Sequence, residues 1–253
     1  MDRQQRHIGR VALVTGAASG IGRAVAFRLA AEGATVIGVD VDEHELEMTM
    51  KLIDKAGHLA TMVVADVSDQ ADVARVIRAL EDERVDLLAN VASIMDHFLP
   101  VGEVDDATWD RVVAVNLTGP MRLCRAVIPF MKTGGGGAIV NVTSLGALTG
   151  SVAGSAHVSA EHGLIGLTRS IAKLYAEDGI RANAVCAGPV EDHIGRTALP
   201  ASPWAYRRLQ KCFDRDGRTA TPDEIATLVS WLGSDEAGSV NGAVVTADGG
   251  WTS

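Results

Sequence analysis

Short, β-branched-rich apolar runs alternate with amphipathic stretches along the whole chain, and this alternation limits the fold more than any other feature. The runs Val11–Thr15, Thr35–Asp40, Thr61–Val64, Asp86–Asn90, Ala138–Val142, Arg181–Ala187 and Ala243–Ala247 are almost continuously apolar. Strands read this way when both faces of a parallel sheet are covered. Between them, apolar residues recur at helical spacing over about Gly20–Ala31, Asp42–Lys55, Asp69–Glu83, Asp106–Met131, Ser155–Glu177 and Pro222–Gly233. The last stretch opens on Thr221-Pro222-Asp223-Glu224, an N-cap threonine with proline at the first helical position and a glutamate to complete a capping box. Right-handed crossovers then predict an α/β fold, a doubly wound parallel sheet of seven strands with helices on both faces. No repeat or low-complexity linker interrupts the pattern, so residues 1–253 are expected to form a single domain.

Charge narrows the class of partner. Acidic residues outnumber basic ones, 32 to 23, for a net charge of −9. Without a basic stripe the chain is not expected to bind nucleic acid or an anionic membrane. The amino-terminal MDRQQRHIGR is polar, and no uninterrupted apolar run reaches spanning length, so a cytoplasmic protein with a small-molecule partner is expected. Cys124, Cys186 and Cys212 are too scattered for a disulfide frame or a metal site and read as buried structural thiols. Gly134–Gly137 reads as a helix-to-strand turn. Gly188–Ala220, with Pro189, Pro200, Pro203, Trp204 and Tyr206, is the longest stretch without clear period and is expected to be a lid or binding loop.

The first predicted strand runs directly into Thr15-Gly16-Ala17-Ala18-Ser19-Gly20-Ile21-Gly22, and a predicted helix follows. Glycines in this setting let the backbone turn tightly and approach a pyrophosphate, whose charge meets the free N–H groups of the helix start. Asp40 ends the second strand, where a carboxylate accepts from both hydroxyls of an adenosine ribose and repels a 2′-phosphate; NAD is therefore expected over NADP. Asp66, after the third strand, is placed either to contact adenine or to cap the approach to a helix.

These residues resemble the short-chain dehydrogenase/reductase family along nearly the whole chain, from about Arg10 to Gly250. TGAASGIG matches the family's Thr-Gly-x-x-x-Gly-x-Gly, Asp66-Val67 its Asp-Val, and Asp248-Gly249-Gly250 its carboxyl-terminal Asp-Gly-Gly. The resemblance implies that Gly16, Ser19, Gly20, Ile21, Gly22, Asp40, Asp66, Val67, Asn90, Gly188 and Val190 contact the cofactor. It also implies that Asn116 belongs to a proton relay and that Ser144 binds the substrate oxygen. From residues alone, the alternatives are that Asn116 only satisfies neighbouring backbone and that Ser144 is a strand-end turn residue. A homotetramer pairing the two long helices is implied as well.

The family's Tyr-x-x-x-Lys falls, in an ungapped reading from Ser144, on His157-Val158-Ser159-Ala160-Glu161. Further departures lie nearby: Asn90-Val91-Ala92-Ser93 for Asn-Asn-Ala-Gly, Ala187-Gly188 for Pro-Gly, and Asp192 for a threonine. His157 and Glu161, at i and i+4, share a helix face, and a carboxylate there can fix the imidazole tautomer and stabilise an imidazolium. His162 lies off that face and reads as peripheral. Met95, Asp96, His97 and Phe98 are candidates for pocket lining, with His97 a lesser candidate acid or base. Three functions stay open: an NAD-dependent oxidoreductase acting on a hydroxyl or carbonyl with His157 and Glu161 in acid–base roles, a non-redox isomerase, lyase, dehydratase or cyclase, and a catalytically silent NAD-binding partner protein.

Overall fold

A computed structural model describes residues 5–80, 84–191, 199–213 and 218–252. Its strands are β1 (Val11–Thr15), β2 (Thr35–Asp40), β3 (Ala60–Val64), β4 (Leu87–Asn90), β5 (Gly137–Ser144), β6 (Ile180–Ala187) and β7 (Val244–Ala247). They form one seven-stranded, wholly parallel sheet in the order β3-β2-β1-β4-β5-β6-β7. The helices are α1 (Gly20–Ala31), α2 (Glu43–Lys55), α3 (Gln70–Arg78), α4 (Asp106–Val113), α5 (Gly119–Thr133), α6 (Ser155–Leu174), α7 (Pro203–Phe213) and α8 (Pro222–Gly233). Alternate residues of each strand feed two cores. Val14, Val36 and Leu87 pack with Leu29 of α1 and Leu46 of α2 on one face, while Leu13, Ile37 and Leu88 pack with Leu123 and Met131 of α5 on the other. The continuous apolar runs follow from this two-sided burial. No helix among the described residues is long and apolar enough to cross a membrane.

Three expectations change. The helix foreseen from Asp69 to Glu83 ends at Arg78, with Asp69 outside it as the N-cap, accepting from the amides of Ala71 and Asp72; residues 81–83 lie outside the described part. The long helix over Asp106–Met131 is two helices joined by a π-helical turn at Ala114–Thr118, a local widening often found at functional sites. The loop over Gly188–Ala220 contains α7, whose amphipathic period was hidden by Pro203 at its start; Asp192 and the rest of 192–198 lie outside the described residues.

The order reverses between β1 and β4, and the chain closes this junction with a side chain. Thr15 Oγ1 accepts the backbone N–H groups of Val91 (3.0 Å) and Ala92 (3.1 Å). Gly16, at φ 70°, lies so close that a Cβ there would sit 2.9 Å from the Ala92 nitrogen, and a Cβ on Gly22 would sit 1.9 Å from the Gly16 oxygen. The glycines are therefore required by close backbone packing before any ligand is considered.

One further fixture sets the position of α6. Its N-cap residue, Gly154, has no side chain to cap with. The fully buried carboxylate of Asp96, in the loop after β4, takes that role across the fold, accepting from Gly154 N and His157 N at 3.0 Å each and from Phe98 N at 3.2 Å. A Cβ on Gly154 would lie 2.4 Å from Asp96 Oδ2. Among the pocket-lining candidates, Asp96 is thus a structural anchor.

Removing the anchor leaves buried N–H groups without acceptors, and Asp96→Ala is expected to destabilise the protein by about 2–4 kcal/mol in urea unfolding. Burial pushes the Cys124 thiol up to about 12, and burial reinforced by the Glu161 charge does the same to Cys186. Cys212 is only half-buried. At pH 8 a disulfide reagent should therefore label Cys212 alone in the native protein and all three cysteines after denaturation.

Candidate active site

Two cavities open at the carboxyl ends of the strands, on either side of the point where strand order reverses. The first, about 200 Å³, is lined by Gly16, Ser19, Gly20, Ile21 and Gly22 at the start of α1, and by Asp40, Asp66, Val67 and Arg111 at its far end. The second, about 580 Å³, is lined by Ser144, His157, Glu161, Gly188, Val190 and Glu191, with apolar walls from Met95, Val142, Ala187 and Pro189. Ile21, Val91 and Ser93 line both, so the two are neighbouring parts of one cleft. Such a crevice is where open α/β sheets bind ligands.

Asp40 turns its carboxylate back on the glycine turn: Oδ2 accepts from Ala18 N at 3.0 Å and Oδ1 from Asp42 N at 3.1 Å. Each oxygen keeps a lone pair for a ribose hydroxyl. Arg23, the nearest cation on α1, is engaged by Thr49, Glu45 and the Ala18 carbonyl. The backbone cradle at Gly16 and Gly22 and the carboxylate at Asp40 together fit the pyrophosphate and adenosine of a dinucleotide. Asp66 is held from several sides. Burial opposes its ionisation, but the hydroxyl and amide of Ser68 and the guanidinium of Arg111 outweigh burial and keep its carboxyl below the usual range.

Asn90 is placed elsewhere. Its side chain is buried at the end of the central strand β4, donating to Asn141 Oδ1 at 2.8 Å and facing Cys124 Sγ at 3.5 Å, and it lines neither cavity. The period-2 alternation of a strand sends it to the α5 face while Val91 reaches the cleft.

Around the second cavity, β5 delivers Ser144, α6 delivers His157 and Glu161, and the π-helical turn delivers Asn116; the last three are 4%, 2% and 1% exposed. Ser144 Oγ lies 3.2 Å from His157 Nε2. The other ring nitrogen, Nδ1, lies 3.0 Å from the Ile94 carbonyl oxygen and 3.2 Å from Asn116 Nδ2. Asn116 has two amide hydrogens, with acceptors at Ile94 O (3.0 Å) and Glu161 Oε1 (3.2 Å), and its own oxygen accepts from Ile94 N at 2.9 Å. Every group is satisfied when His157 carries its proton on Nδ1 and donates it to Ile94, which leaves Nε2 as an acceptor for the Ser144 hydroxyl. Ser144 Oγ in turn accepts from Gly146 N at 3.0 Å.

The expected orienting pair takes another form. His157 Nε2 and Glu161 Oε1 are 3.9 Å apart, too far for a hydrogen bond. Glu161 instead receives the Thr143 hydroxyl, Ser144 N (2.9 Å) and Asn116 Nδ2. A backbone carbonyl orients the imidazole, and the carboxylate makes no hydrogen bond to it. Sequence spacing puts the two residues on one face but cannot show that a loop carbonyl from another part of the chain reaches the ring first. His97 is exposed, bonded through Nδ1 to Leu199 O, and outside the lining of both cavities. His162 is exposed on the outer side of α6. Among the described residues no cluster of side chains has the make-up of a metal site.

Residues 16–252 match a family profile described as enoyl-(acyl carrier protein) reductase. The chain is 36% identical to 3β-hydroxysteroid dehydrogenase 2 of Eggerthella lenta, over 96% of this chain and 95% of that one. It is 40% identical to cis-4-hydroxycyclohexanecarboxylate dehydrogenase of Sinomonas cyclohexanicum, over 96% of each. Levodione reductase superposes with a TM-score of 0.88 at 35% identity, covering 97% of this chain and 98% of the other. Motifs, sheet order and these relatives agree across nearly the full length: the chain belongs to the short-chain dehydrogenase/reductase family of oxidoreductases.

Proposed function

We propose that the protein is an NAD(H)-dependent oxidoreductase that interconverts a secondary hydroxyl and a carbonyl on a small, largely apolar cyclic molecule, with His157 as the proton-transferring group. The observation that carries this reading is the position of His157 Nε2: it faces Ser144 Oγ at 3.2 Å inside a cavity that shares a wall with the glycine-lined one. The apolar walls at Met95, Val142, Pro189 and Val190 suit a ring, and two relatives are named for ring-borne hydroxyls.

Bound NAD(H) would supply the two-electron chemistry, held by Gly16, Ser19, Gly20, Ile21 and Gly22 at the pyrophosphate, by Asp40 at the ribose, and at the reaction end by Gly188 and Val190. The chain supplies the proton chemistry. Ser144 orients the substrate oxygen. His157 Nε2, the acceptor nitrogen of a ring whose tautomer is held by Ile94, is released by Ser144 when the substrate oxygen binds, takes the hydroxyl proton during oxidation and returns it during reduction. Glu161 stands 3.9 Å from the same nitrogen, on the same helix face. In this reading His157 and Glu161 stand where the family carries tyrosine and lysine, and Asn116 ties the carboxylate to the loop that orients the ring. Of the segment expected to form a lid, the described parts are 188–191, 199–213 with α7, and 218–220, and these cover the cavity in this reading; the working unit is a homotetramer.

A second reading rests on the same charge. The described lining of the reaction-end cavity holds two glutamates, Glu161 and Glu191, and neither lysine nor arginine. An acid–base enzyme that leaves the oxidation state of its substrate unchanged would use His157 equally well. Product mass alongside the absorbance of reduced nicotinamide separates the two: conversion with neither a two-hydrogen change in mass nor a change in NADH selects the second.

His157→Ala should lower kcat/KM by about 10²–10⁴-fold while leaving the dissociation constant for NAD⁺ within twofold of wild type, checked by calorimetry and steady-state rates. A buried carboxylate beside the nicotinamide should also favour its cationic form. NAD⁺ is expected to bind about fivefold more tightly than NADH, a difference of ~1 kcal/mol, and Glu161→Gln should remove that preference; tighter NADH binding would overturn the electrostatic argument.

A further inference from the structure

The far end of the glycine-lined cavity is walled by an arginine whose own charge is already neutralised. Arg111, on α4, donates from Nη1 to Asp66 Oδ2 at 2.8 Å and to Ser68 Oγ at 2.6 Å. Its partners are themselves fixed. Asp66 Oδ1 accepts from Ser68 N at 2.8 Å and from the Ser68 hydroxyl at 2.7 Å, while Asp66 N donates to Asp72 Oδ2 at 2.8 Å. Arg122 of α5 binds the Ser68 carbonyl from the other side. One end of the guanidinium is therefore tethered through Nη1 before any ligand arrives, which lowers the side-chain ordering that binding requires. It is also the one cationic group in the described lining of that cavity, alongside the apolar Val67 and Val115.

A planar guanidinium paired to a carboxylate has lost most of its attraction for a phosphate but keeps a flat, polarisable face. An aromatic heterocycle is the ligand that uses such a face. Asp66 Oδ1 is filled by the amide and hydroxyl of Ser68, and Oδ2 holds Arg111, so the aspartate fixes the arginine beside whatever ligand enters. We infer that Arg111 is a nucleotide-binding residue, its guanidinium forming the wall against which the adenine ring of the cofactor packs, with Asp66 and Ser68 as the residues that hold it in place. The inference rests on the dinucleotide reading of the cleft and adds to it a recognition element for the base.

Calorimetric titration of the full chain with NAD⁺, NADP⁺, ADP-ribose and ribose 5-phosphate tests this, on wild type, Arg111→Ala and Arg111→Lys. Arg111→Ala should weaken NAD⁺ and ADP-ribose by about 3- to 10-fold, and lysine, a point charge without a planar face, should not restore them. Melting temperatures without ligand should stay within about 2 °C of wild type, which separates a lost contact from a lost fold; if alanine lowers them further, the lysine variant carries the comparison. Unchanged binding of ADP-ribose in a folded Arg111→Ala protein would overturn the assignment. Loss confined to NADP⁺ or shared by ribose 5-phosphate would overturn it as well, since Arg111 would then be a phosphate receptor. Failure of wild type to bind ADP-ribose at all would instead remove the dinucleotide reading itself.

Discussion

The hydroxyl of Thr15 holds together the two halves on which the rest of the protein depends. By accepting two N–H groups from the turn after β4, it fixes how far the strands on either side of the reversal can part. Everything ligand-facing is measured from that junction. The glycine turn lies on one side of it, the loop that grips His157 on the other, and Val91, between them, borders both parts of the cleft. Breaking such a pair leaves two N–H groups to find new acceptors, which is more costly than keeping it.

The loop from Ile94 to Leu99 has two tasks that converge on one residue. Ile94 meets the imidazole of His157 and Asn116, and Asp96 meets the backbone of the same histidine from beneath. Leu99 closes the set by accepting from Ser155 N at 2.8 Å. The loop then passes through His97 and Phe98, both at positive φ, 54° and 59°, and reaches the segment that carries α7: Ala201 N donates to the His97 carbonyl, and the Phe98 and Tyr206 rings meet edge to face at 5.4 Å. Left-handed backbone at two consecutive non-glycine residues persists only where the surroundings over-determine it. Here helix α6, the π-helical turn and the α7 segment do so together. His157 is thus positioned by contacts with the backbone and side chains of one loop, and Glu161 is left to act at a distance.

Much of this was legible beforehand. All the strands were placed to within about two residues, because two-sided burial writes itself as apolar continuity. The glycine motif, Asp40 and the helix face shared by His157 and Glu161 follow from local spacing. Asn90 shows where such reading stops: matching a motif did not reveal that strand alternation turns its side chain toward Cys124. Asp96 shows the opposite failure, a polar loop residue with no local signal of burial that proves to cap a helix beginning 59 residues later, across the 58-residue separation to Gly154. Helix α7 was hidden because its residues fall among prolines and beside a stretch of no clear period.

By itself the sequence determined the order of elements, the two-faced sheet, the tight turn of glycines and the helix face that His157 and Glu161 share. These depend on periodicity and on backbone conformations that few residues can adopt, and both are local properties. Only the tertiary structure decided what each of those groups touches. Ile94 rather than Glu161 holds the imidazole, Asp96 holds the helix, and Arg111 is drawn to the cleft by Asp66. A hydrogen bond is directional over a few tenths of an ångström, and its partner comes from whichever part of the chain the packed cores bring within reach.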